Sequence, residues 1–375
     1  MLPCHARRGI YLVFERAFIG SLFLCLGVRM RLPGLVDPHV HMREPGATHK
    51  EDWDSGTAAA LAGGFTQVLA MPNTQPPVVD GESLEAAYGL ASEKARCDYA
   101  QYLGAGPDNA EAAAACADRS AGLKLYLDQT YGALRLDEMS IWRVHFQAWP
   151  ANRPLVAHAE GRTLAAAILM SAITDRPLHL AHVATREDIL LVRDAKSRGL
   201  KITCEVTPHH LFLTEKDLTG GRKEVRPRLG TQADVDALWA NLDVIDCFAT
   251  DHAPHTAAEK DGETPPPGFP GLETALSLLL NAVHEGRLTL EGLIARMSTN
   301  PRRIFGIPEQ PETWVEVDPD AAVTLSSKYM HSRAGWTPYE GMRVHGLVRR
   351  VVLRGETAFE DGQVLAKKGS GQRIR

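Results

Sequence analysis

Short apolar segments alternate with alanine-rich segments of helical pattern along most of the chain, and this alternation limits the available folds. The apolar segments are residues 35–39, 66–71, 99–103, 122–127, 155–158, 178–182, 201–206 and 244–250. Each is followed by a helical pattern or a long loop. Strands that alternate with helices pair in parallel, and eight such units predict a closed (β/α)8 barrel of the TIM type.

The pattern changes after residue 312. Residues 313–318 and 347–356 alternate between apolar and polar side chains, as half-buried strands do, and Asp361-Gly362 predicts a hairpin turn. We therefore expect a barrel over residues 31–312 and a small β subdomain over residues 313–366. Residues 367–375 are basic and contain Gly and Ser, which predicts a linker-like tail.

Residues 1–30 form an atypical leader of unknown role. Arg7 and Arg8 precede an apolar run at residues 17–28, as in a signal or transit peptide. The run is short for a membrane span, and no small-residue cleavage site with a polar stretch follows it. An alternative start and a non-native leader are the other interpretations, so the fold prediction begins at residue 31.

Composition bears on partners and compartment. The formal charge of -5 is near neutral and mixed in sign, which gives no reason to expect nucleic acid or an anionic membrane surface as a partner. The six cysteines are scattered without a CxxC pair, in a chain long enough to bury a core without disulfides. We expect reduced thiols and a cytoplasmic protein.

Side chains that bind metals lie where the predicted strands end. His39 and His41 are two positions apart in an extended segment, so their imidazoles point to the same face. Singly, each residue has an ordinary role, such as a solvated loop histidine, a core histidine, or an acid paired with a neighbouring histidine. Together at the C-terminal ends of barrel strands they predict a binuclear site suited to zinc. The residues are His39, His41, Lys124, His158, His182, Glu205 and Asp251.

Lys124 alternates into a run of leucines and would point into the barrel, where a bare ammonium is costly. A neutral amine there can take up carbon dioxide and become an anionic carbamate that bridges two metals. The alternatives are that Lys124 reaches the barrel mouth or pairs with an acid. The surrounding ligands favour the carbamate.

Asp251 follows the last apolar segment. One of its oxygens can contact a metal while the other exchanges a proton, which suits a general base and acid. An Asp that opens a turn before Pro254 is the ordinary interpretation, and it is compatible with this role.

Several motifs together resemble dihydroorotase of the amidohydrolase superfamily, and most of all the dihydroorotase domain of the animal multifunctional pyrimidine-synthesis protein. They are VDPHVHMREPG, AMPNT, GLKLYL, VAHAE, AHVA, CEVTPHHLFL, EVRPRLG, FATDHAPH and PPPGFPGLET. The resemblance covers residues 31–366 and implies a zinc-dependent, reversible cyclisation of N-carbamoyl-L-aspartate to (S)-dihydroorotate in pyrimidine (UMP) biosynthesis. It also implies a homo-oligomer, at least a dimer, and a chain that belongs to a larger multifunctional polypeptide.

The resemblance also implies roles for individual residues. His39, His41 and Asp251 would hold one zinc, His158 and His182 the other, and carboxylated Lys124 would bridge them. The residues implied to bind substrate are Arg43, Asn73, Arg226, His255, Pro267 and Gly268, and Thr130 and Tyr131 match the tip of a mobile loop. A third zinc would use Glu205 and a cysteine, but the cysteine position is Ala181, so a third metal is doubtful.

Two other functions remain open at this stage. A hydantoinase or allantoinase would share the barrel and the metals, and carboxylate recognition by Arg43, Asn73 and His255 is the feature that separates them. A catalytically inactive scaffold barrel is the second alternative. Such barrels usually lose metal ligands, whereas here the implied ligands of both metals are present.

Overall fold

The computed structural model describes residues 29–375. The leader predicted over residues 1–30 therefore lies outside the described residues, apart from its last two. The strands are β1 Met30–Pro33, β2 Leu35–Val40, β3 Phe65–Ala70, β4 Asp98–Gln101, β5 Leu103–Gly104, β6 Leu123–Tyr126, β7 Leu155–His158, β8 Leu178–Leu180, β9 Ile202–Val206, β10 Cys247–Phe248, β11 Trp314–Thr324, β12 Arg343–Leu353, β13 Glu356–Glu360 and β14 Gln363–Val364.

Helices follow most of the barrel strands. The α-helices are α1 Trp53–Ala62, α2 Gly81–Lys94, α3 Ala110–Ala114, α4 Met139–Ala148, α5 Arg162–Thr174, α6 Arg186–Ser197, α7 Pro208–Phe212, α8 Gln232–Ala240, α9 Ala257–Lys260, α10 Leu272–His284, α11 Leu290–Ile294 and α12 Asn300–Phe305. Short 3-10 turns lie at Ala117–Arg119, Gly220–Lys223 and Ser327–Tyr329, and a π-helical turn lies at Ala295–Thr299. In the part of the chain that the structure describes, we find no helix with the length and apolar character of a bilayer span.

Parallel strands form the predicted barrel. β2, β3 and β4 pair in that order, and β5 to β10 pair in a second run. Tyr102 separates β4 from β5, and its backbone N–H donates to the carbonyl of Ala70, so the two pieces act as one interrupted strand. Between β10 and β2 a single parallel bridge joins Val40 to His252, where the N–H of His41 donates to the carbonyl of His252 at 2.7 Å. The (β/α)8 class is confirmed.

Burial explains why these segments form barrel strands that are covered by surrounding helices. Every residue of β2 and β3 is buried, as expected for parallel strands covered on both faces. The main core packs the outer faces of the strands against the helices. Asp52 begins α1 and Asp80 begins α2, each through a capping box with a serine at the third helical position.

The last barrel strand is shorter than predicted. Residues 244–250 were expected as one strand, but only Cys247–Phe248 has that structure. The side chain of Asp246 accepts the backbone N–H of Cys204 at 2.8 Å and pairs with Lys196 at 2.5 Å. A side chain that takes a backbone N–H competes with the strand ladder.

A second, antiparallel sheet has the order β1-β11-β12-β13-β14. It thus combines residues from before the barrel with residues from after it. The tail differs from the linker that its composition predicts. Tyr99 of β4 exchanges backbone hydrogen bonds with Gln372 and Ile374, and Arg375 donates to the carbonyl of Phe305 at 2.7 Å.

Candidate metal centre and cavity

The C-terminal ends of the barrel strands surround a cavity. Almost all the residues singled out in the sequence line it. They are His39, His41, Arg43, Asn73, Lys124, Thr130, Tyr131, His158, His182, Arg226, Asp251, Pro267 and Gly268, and Tyr126 and Ala253 complete the wall. Glu205 and His255 lie behind this wall, in contact with residues that form it.

His39, His41 and Asp251 form a candidate metal site. Their ligand atoms lie within 4.8 Å of one another, and they are the only such group found among the described residues. Oδ1 of Asp251 is 3.0 Å from Nε2 of His41 and 3.3 Å from Nε2 of His39. Burial lowers the pKa of His41 to about 4, so its ring is neutral at physiological pH and keeps a lone pair for a metal.

Asp251 is ionised in this arrangement. Burial acts to raise the pKa of its carboxyl, but the nearby rings of His39 and His41 outweigh burial and hold that pKa well below its usual range. A buried carboxylate facing imidazole nitrogens is a strong donor for a hard or borderline cation.

His158 and His182 form a second pair of rings beside the first. Nδ1 of His158 is 2.9 Å from Nε2 of His182. Nδ1 of His182 is buried and has no hydrogen bond among the described residues, and Nε2 of His158 forms none of good geometry, although Oε1 of Glu160 lies 3.3 Å from it. Buried ring nitrogens without a hydrogen bond are rare in proteins, and coordination of an ion is one way to satisfy them. The donor set therefore fits a bound metal.

Lys124 projects into the barrel between these groups. Its side chain is completely buried, and its Nζ is 3.4 Å from Nε2 of His39. Burial lowers the pKa of this amine to about 8. Within residues 29–375 no carboxylate is paired with Nζ at ion-pair distance, although the charges of Glu205 and Asp251 act to raise its pKa, and the side chain does not reach solvent.

Two buried acids position His39. Glu205 contacts Nδ1 of His39, and its oxygens also accept from Nε2 of His179 at 3.2 Å and from the backbone N–H of His182 at 3.3 Å. Asp37 accepts the backbone N–H groups of His39 and Thr250. Glu205 was singled out as a third-metal candidate, whereas in the structure its carboxylate is already bonded to these groups.

Arg43 and Asn73 line the same cavity as the candidate metal ligands. Nε of Arg43 donates to the carbonyl of Pro254 at 3.0 Å, and its Nη2 lies 3.0 Å from Nε2 of His255. Oδ1 of Asn73 is 2.7 Å from Nδ1 of His41, and its Nδ2 donates to the carbonyl of Tyr131 at 2.9 Å. The loop that carries Tyr131 thus lies over the cavity.

The backbone of the site is constrained at Gly268 and at three other positions. Gly268 has a φ of 142°, and a Cβ there would collide with the carbonyl of Ala253. Arg43, His182 and Asp251 have φ values of 58°, 35° and 44°, in the left-handed region that side chains rarely adopt. Such backbone persists only where the surroundings enforce it, and it clusters at functional sites.

Comparisons with known proteins agree with this geometry. Residues 28–166 match a family model described as Dihydro-orotase-like. The chain is 54% identical over 350 residues to the multifunctional protein pyr1-3 of Dictyostelium discoideum, covering 92% of this chain but only 16% of that protein. It is 39% identical to the dihydroorotase of Pyrococcus abyssi, covering 92% of this chain and 86% of that enzyme. The chain belongs to the dihydroorotase family.

Solved structures place this dihydroorotase-family chain among metal-dependent amidohydrolase barrels. The L-hydantoinase (dihydropyrimidinase) of Arthrobacter aurescens matches with a TM-score of 0.86 at 25% identity, over 92% of this chain and 89% of that one. The inactive dihydroorotase-like domain of a Chaetomium thermophilum CAD-like multifunctional protein matches with a TM-score of 0.81 at 28% identity, over 93% of this chain and all of that one.

Some residues of the site escaped the sequence interpretation. Tyr126 lines the cavity and was detectable, because it is two positions from Lys124 in the same strand and shares its face. Asp37 accepts the backbone N–H of His39, and His179 contacts Glu205, which in turn contacts His39. No residue spacing in the sequence indicated these contacts. Lys50 lies in a loop, and its Nζ is 3.0 Å from Nδ1 of His255.

Proposed function

We propose that the protein is a dihydroorotase that interconverts N-carbamoyl-L-aspartate and (S)-dihydroorotate in de novo pyrimidine biosynthesis. One observation carries the proposal: a completely buried Lys124, with no ion pair at contact distance among the described residues, lies among candidate metal ligands and shares its cavity with Arg43. The family membership supports the same conclusion, since relatives that this chain largely covers are named dihydroorotases.

We infer that the site holds a pair of zinc ions. His39, His41 and Asp251 would hold one, and His158 and His182 the other. Lys124 would bridge them as N6-carboxylysine, and its lowered pKa of about 8 makes the neutral amine that takes up carbon dioxide more available than in an exposed lysine. When bound, the pair lowers the pKa of water and polarises the amide carbonyl. Ala181 offers no ligand and Glu205 is already bonded, so the proposal includes no third zinc.

The protein's own residues would do the remaining work. Asp251 would take a proton from the water that attacks the ring amide and would return it to the departing ring nitrogen. In ring closure the same proton transfers would run in reverse. Arg43 and Asn73 would bind the substrate carboxylate, because a guanidinium forms paired hydrogen bonds with one. His255, which lies behind the cavity wall in contact with Arg43, would support this binding rather than contact the carboxylate. Arg226 and the Pro267-Gly268 stretch would line the rest of the cavity. Thr130 and Tyr131 would cover the substrate and exclude water.

The test is a dihydroorotate assay in both directions on the purified chain, together with metal analysis. We expect turnover of dihydroorotate and close to two zinc ions per chain. Lys124→Ala should lose both, and exposed Lys201→Ala, on the far end of β9, is the matched control. A zinc-loaded, folded chain that turns over hydantoin or allantoin and leaves dihydroorotate unchanged would contradict the proposal.

The match to an L-hydantoinase structure makes a cyclic amidohydrolase of that class the second candidate. Buried Arg43, which lines the same cavity as Asn73, argues against this candidate, because a substrate without a carboxylate would leave the buried guanidinium without an anionic partner from the substrate.

The match to an inactive dihydroorotase-like domain makes a scaffold barrel the third candidate. A folded chain that binds no zinc and turns over none of these substrates would favour it. The complete set of candidate ligands around the cavity supports an active enzyme instead.

Partners and compartment complete the proposal. The chain spans 16% of the length of the multifunctional relatives, so we propose that it works as one unit of a larger polypeptide and forms a homodimer. We place it in the cytoplasm, where reduced thiols persist. The four cysteines that the structure describes are buried and free, while Cys4 and Cys25 lie outside the described residues.

A further inference from the structure

His255 lies between two cationic side chains behind the wall of the cavity. Nζ of Lys50 is 3.0 Å from Nδ1 of His255, and Nη2 of Arg43 is 3.0 Å from Nε2. All three side chains are buried, with Lys50 5% exposed and Arg43 4% exposed. Burial, followed by the charges of Arg43 and Lys50, holds the pKa of His255 far below its usual range, so the ring is neutral.

A neutral imidazole has one N–H and one lone pair, so it can accept a hydrogen bond from only one of these two cations. The carbonyl oxygen of Pro267 decides which. It lies 3.0 Å from Nε2 of His255 and can only accept, so Nε2 carries the hydrogen when this bond forms. Nδ1 then holds the lone pair and accepts from Lys50.

The other tautomer loses both of these bonds and gains only one, from Nη2 of Arg43 to Nε2. Its Nδ1–H would point at the ammonium of Lys50, and the carbonyl of Pro267 would have no donor. Glu259 keeps the ammonium in place, since its Oε1 is 3.1 Å from Nζ of Lys50. The contacts with Pro267 and Lys50 therefore favour the Nε2–H tautomer of His255. Lys50 does so although it does not line the cavity.

We propose that Lys50 is a positioning residue that selects the Nε2–H tautomer of His255 and so leaves the Nη2 hydrogens of Arg43 for a substrate carboxylate. The identity of that carboxylate rests on the proposed function. The ring of Tyr131 lies 4.9 Å from Nζ of Lys50 and 5.1 Å from the guanidinium carbon of Arg43. Both cations thus also contact the loop over the cavity.

Nitrogen NMR of the histidine rings tests the tautomer directly. The zinc-loaded chain is labelled with ¹⁵N in its histidine rings, and a His255→Gln spectrum identifies the signals of His255. We expect a protonated Nε2 and an unprotonated Nδ1 in the wild type. Lys50→Met should move the Nδ1 signal toward the protonated range. Lys50→Arg should keep the wild-type pattern, because a guanidinium can still donate to Nδ1.

Kinetics test the consequence for substrate. Lys50→Met should raise KM for dihydroorotate about tenfold, as expected when one charge-assisted contact is lost, and change kcat less than about twofold. Lys50→Arg should recover most of this loss. Lys201→Met, an exposed lysine paired with Asp175, is the control and should match the wild type.

Two outcomes overturn the proposal: a wild-type ring protonated at Nδ1, or a folded, zinc-loaded Lys50→Met protein with an unchanged His255 tautomer and an unchanged KM. If Lys50→Met does not fold, a Lys50→Arg protein with the KM of the wild type but the opposite tautomer also overturns it. A wild type without dihydroorotate turnover refutes the proposed function instead, and the ring spectra still decide the role of Lys50.

Discussion

Replacing Lys124 with methionine in the metal-free protein measures how strongly the fold opposes an ammonium in the barrel. Burial lowers the pKa of Lys124 from 10.5 to about 8. Because one pKa unit corresponds to about 1.4 kcal/mol, charging this side chain costs the folded state about 3 kcal/mol. Methionine keeps a similar unbranched shape without the charge. We therefore expect metal-free Lys124→Met to be about 3 kcal/mol more stable than the metal-free wild type at pH 7.

The difference should depend on pH in a defined direction. The unfolded chain keeps the proton on Lys124 up to about pH 10.5, whereas the folded chain releases it near pH 8. The penalty is therefore complete below pH 8, decreases between pH 8 and pH 10.5, and disappears above that range. The wild type gains stability relative to the variant as the pH rises.

Urea denaturation of chelator-treated protein, in buffers freed of carbon dioxide, measures these free energies of unfolding at pH 7 and pH 10. Exposed Lys201→Met is the matched control and should show no comparable gain at either pH. Equal stability of Lys124→Met and the wild type at pH 7, or a gap of constant size across the pH range, would refute the reasoning that the amine is desolvated.

Three further predictions concern the zinc-loaded protein. Asp251→Asn should stay folded but lose at least about a hundredfold in kcat, because a proton carrier that is also a proposed zinc ligand is gone; substantial remaining turnover would exclude the proton-carrier role. Arg43→Lys should raise KM for dihydroorotate by about ten- to a hundredfold, since the planar fork is lost; an unchanged KM would show that Arg43 does not bind the carboxylate. Glu205→Gln should weaken zinc binding by about ten- to a hundredfold in a chelator competition, because His39 loses its charged partner; unchanged zinc affinity would show that Glu205 does not act through His39.

Helices and strands could be predicted from the sequence where all the local signals of the element, such as its capping residues, are present. The strand Leu155–His158 has the predicted bounds, and the helix Gly81–Lys94 lies in the region after the second apolar segment where a helical pattern was expected. For the helix, Asp80 and Ser83 form its capping box, and both residues are visible in the sequence. The strand Cys247–Phe248 is shorter than predicted, because the side chain of Asp246 takes a backbone N–H that a strand ladder would use. The periodicity of the sequence does not reveal such a side-chain bond.

The candidate site was predictable only where strand ends carried its residues. His39, His41 and Asp251 lie at the ends of apolar runs and Lys124 lies within one, so their meeting in one barrel could be expected. The roles assigned to them stay predictions. Lys50 is different, because it lies in a loop and contacts a histidine 205 positions later. No spacing rule connects two loop residues that only the closed barrel brings together.

The pairing of β1 with β11 also bears on how a working fragment of this chain can be cut. Met30 to Pro33 lie beside Val317 to Trp314 along their whole length. A fragment that starts at Leu35 would keep every barrel strand but leave the backbone N–H and carbonyl groups of β11 open on that side. An uncovered strand of this kind readily pairs with another molecule, so the shortened protein would self-associate even though its catalytic pocket were intact.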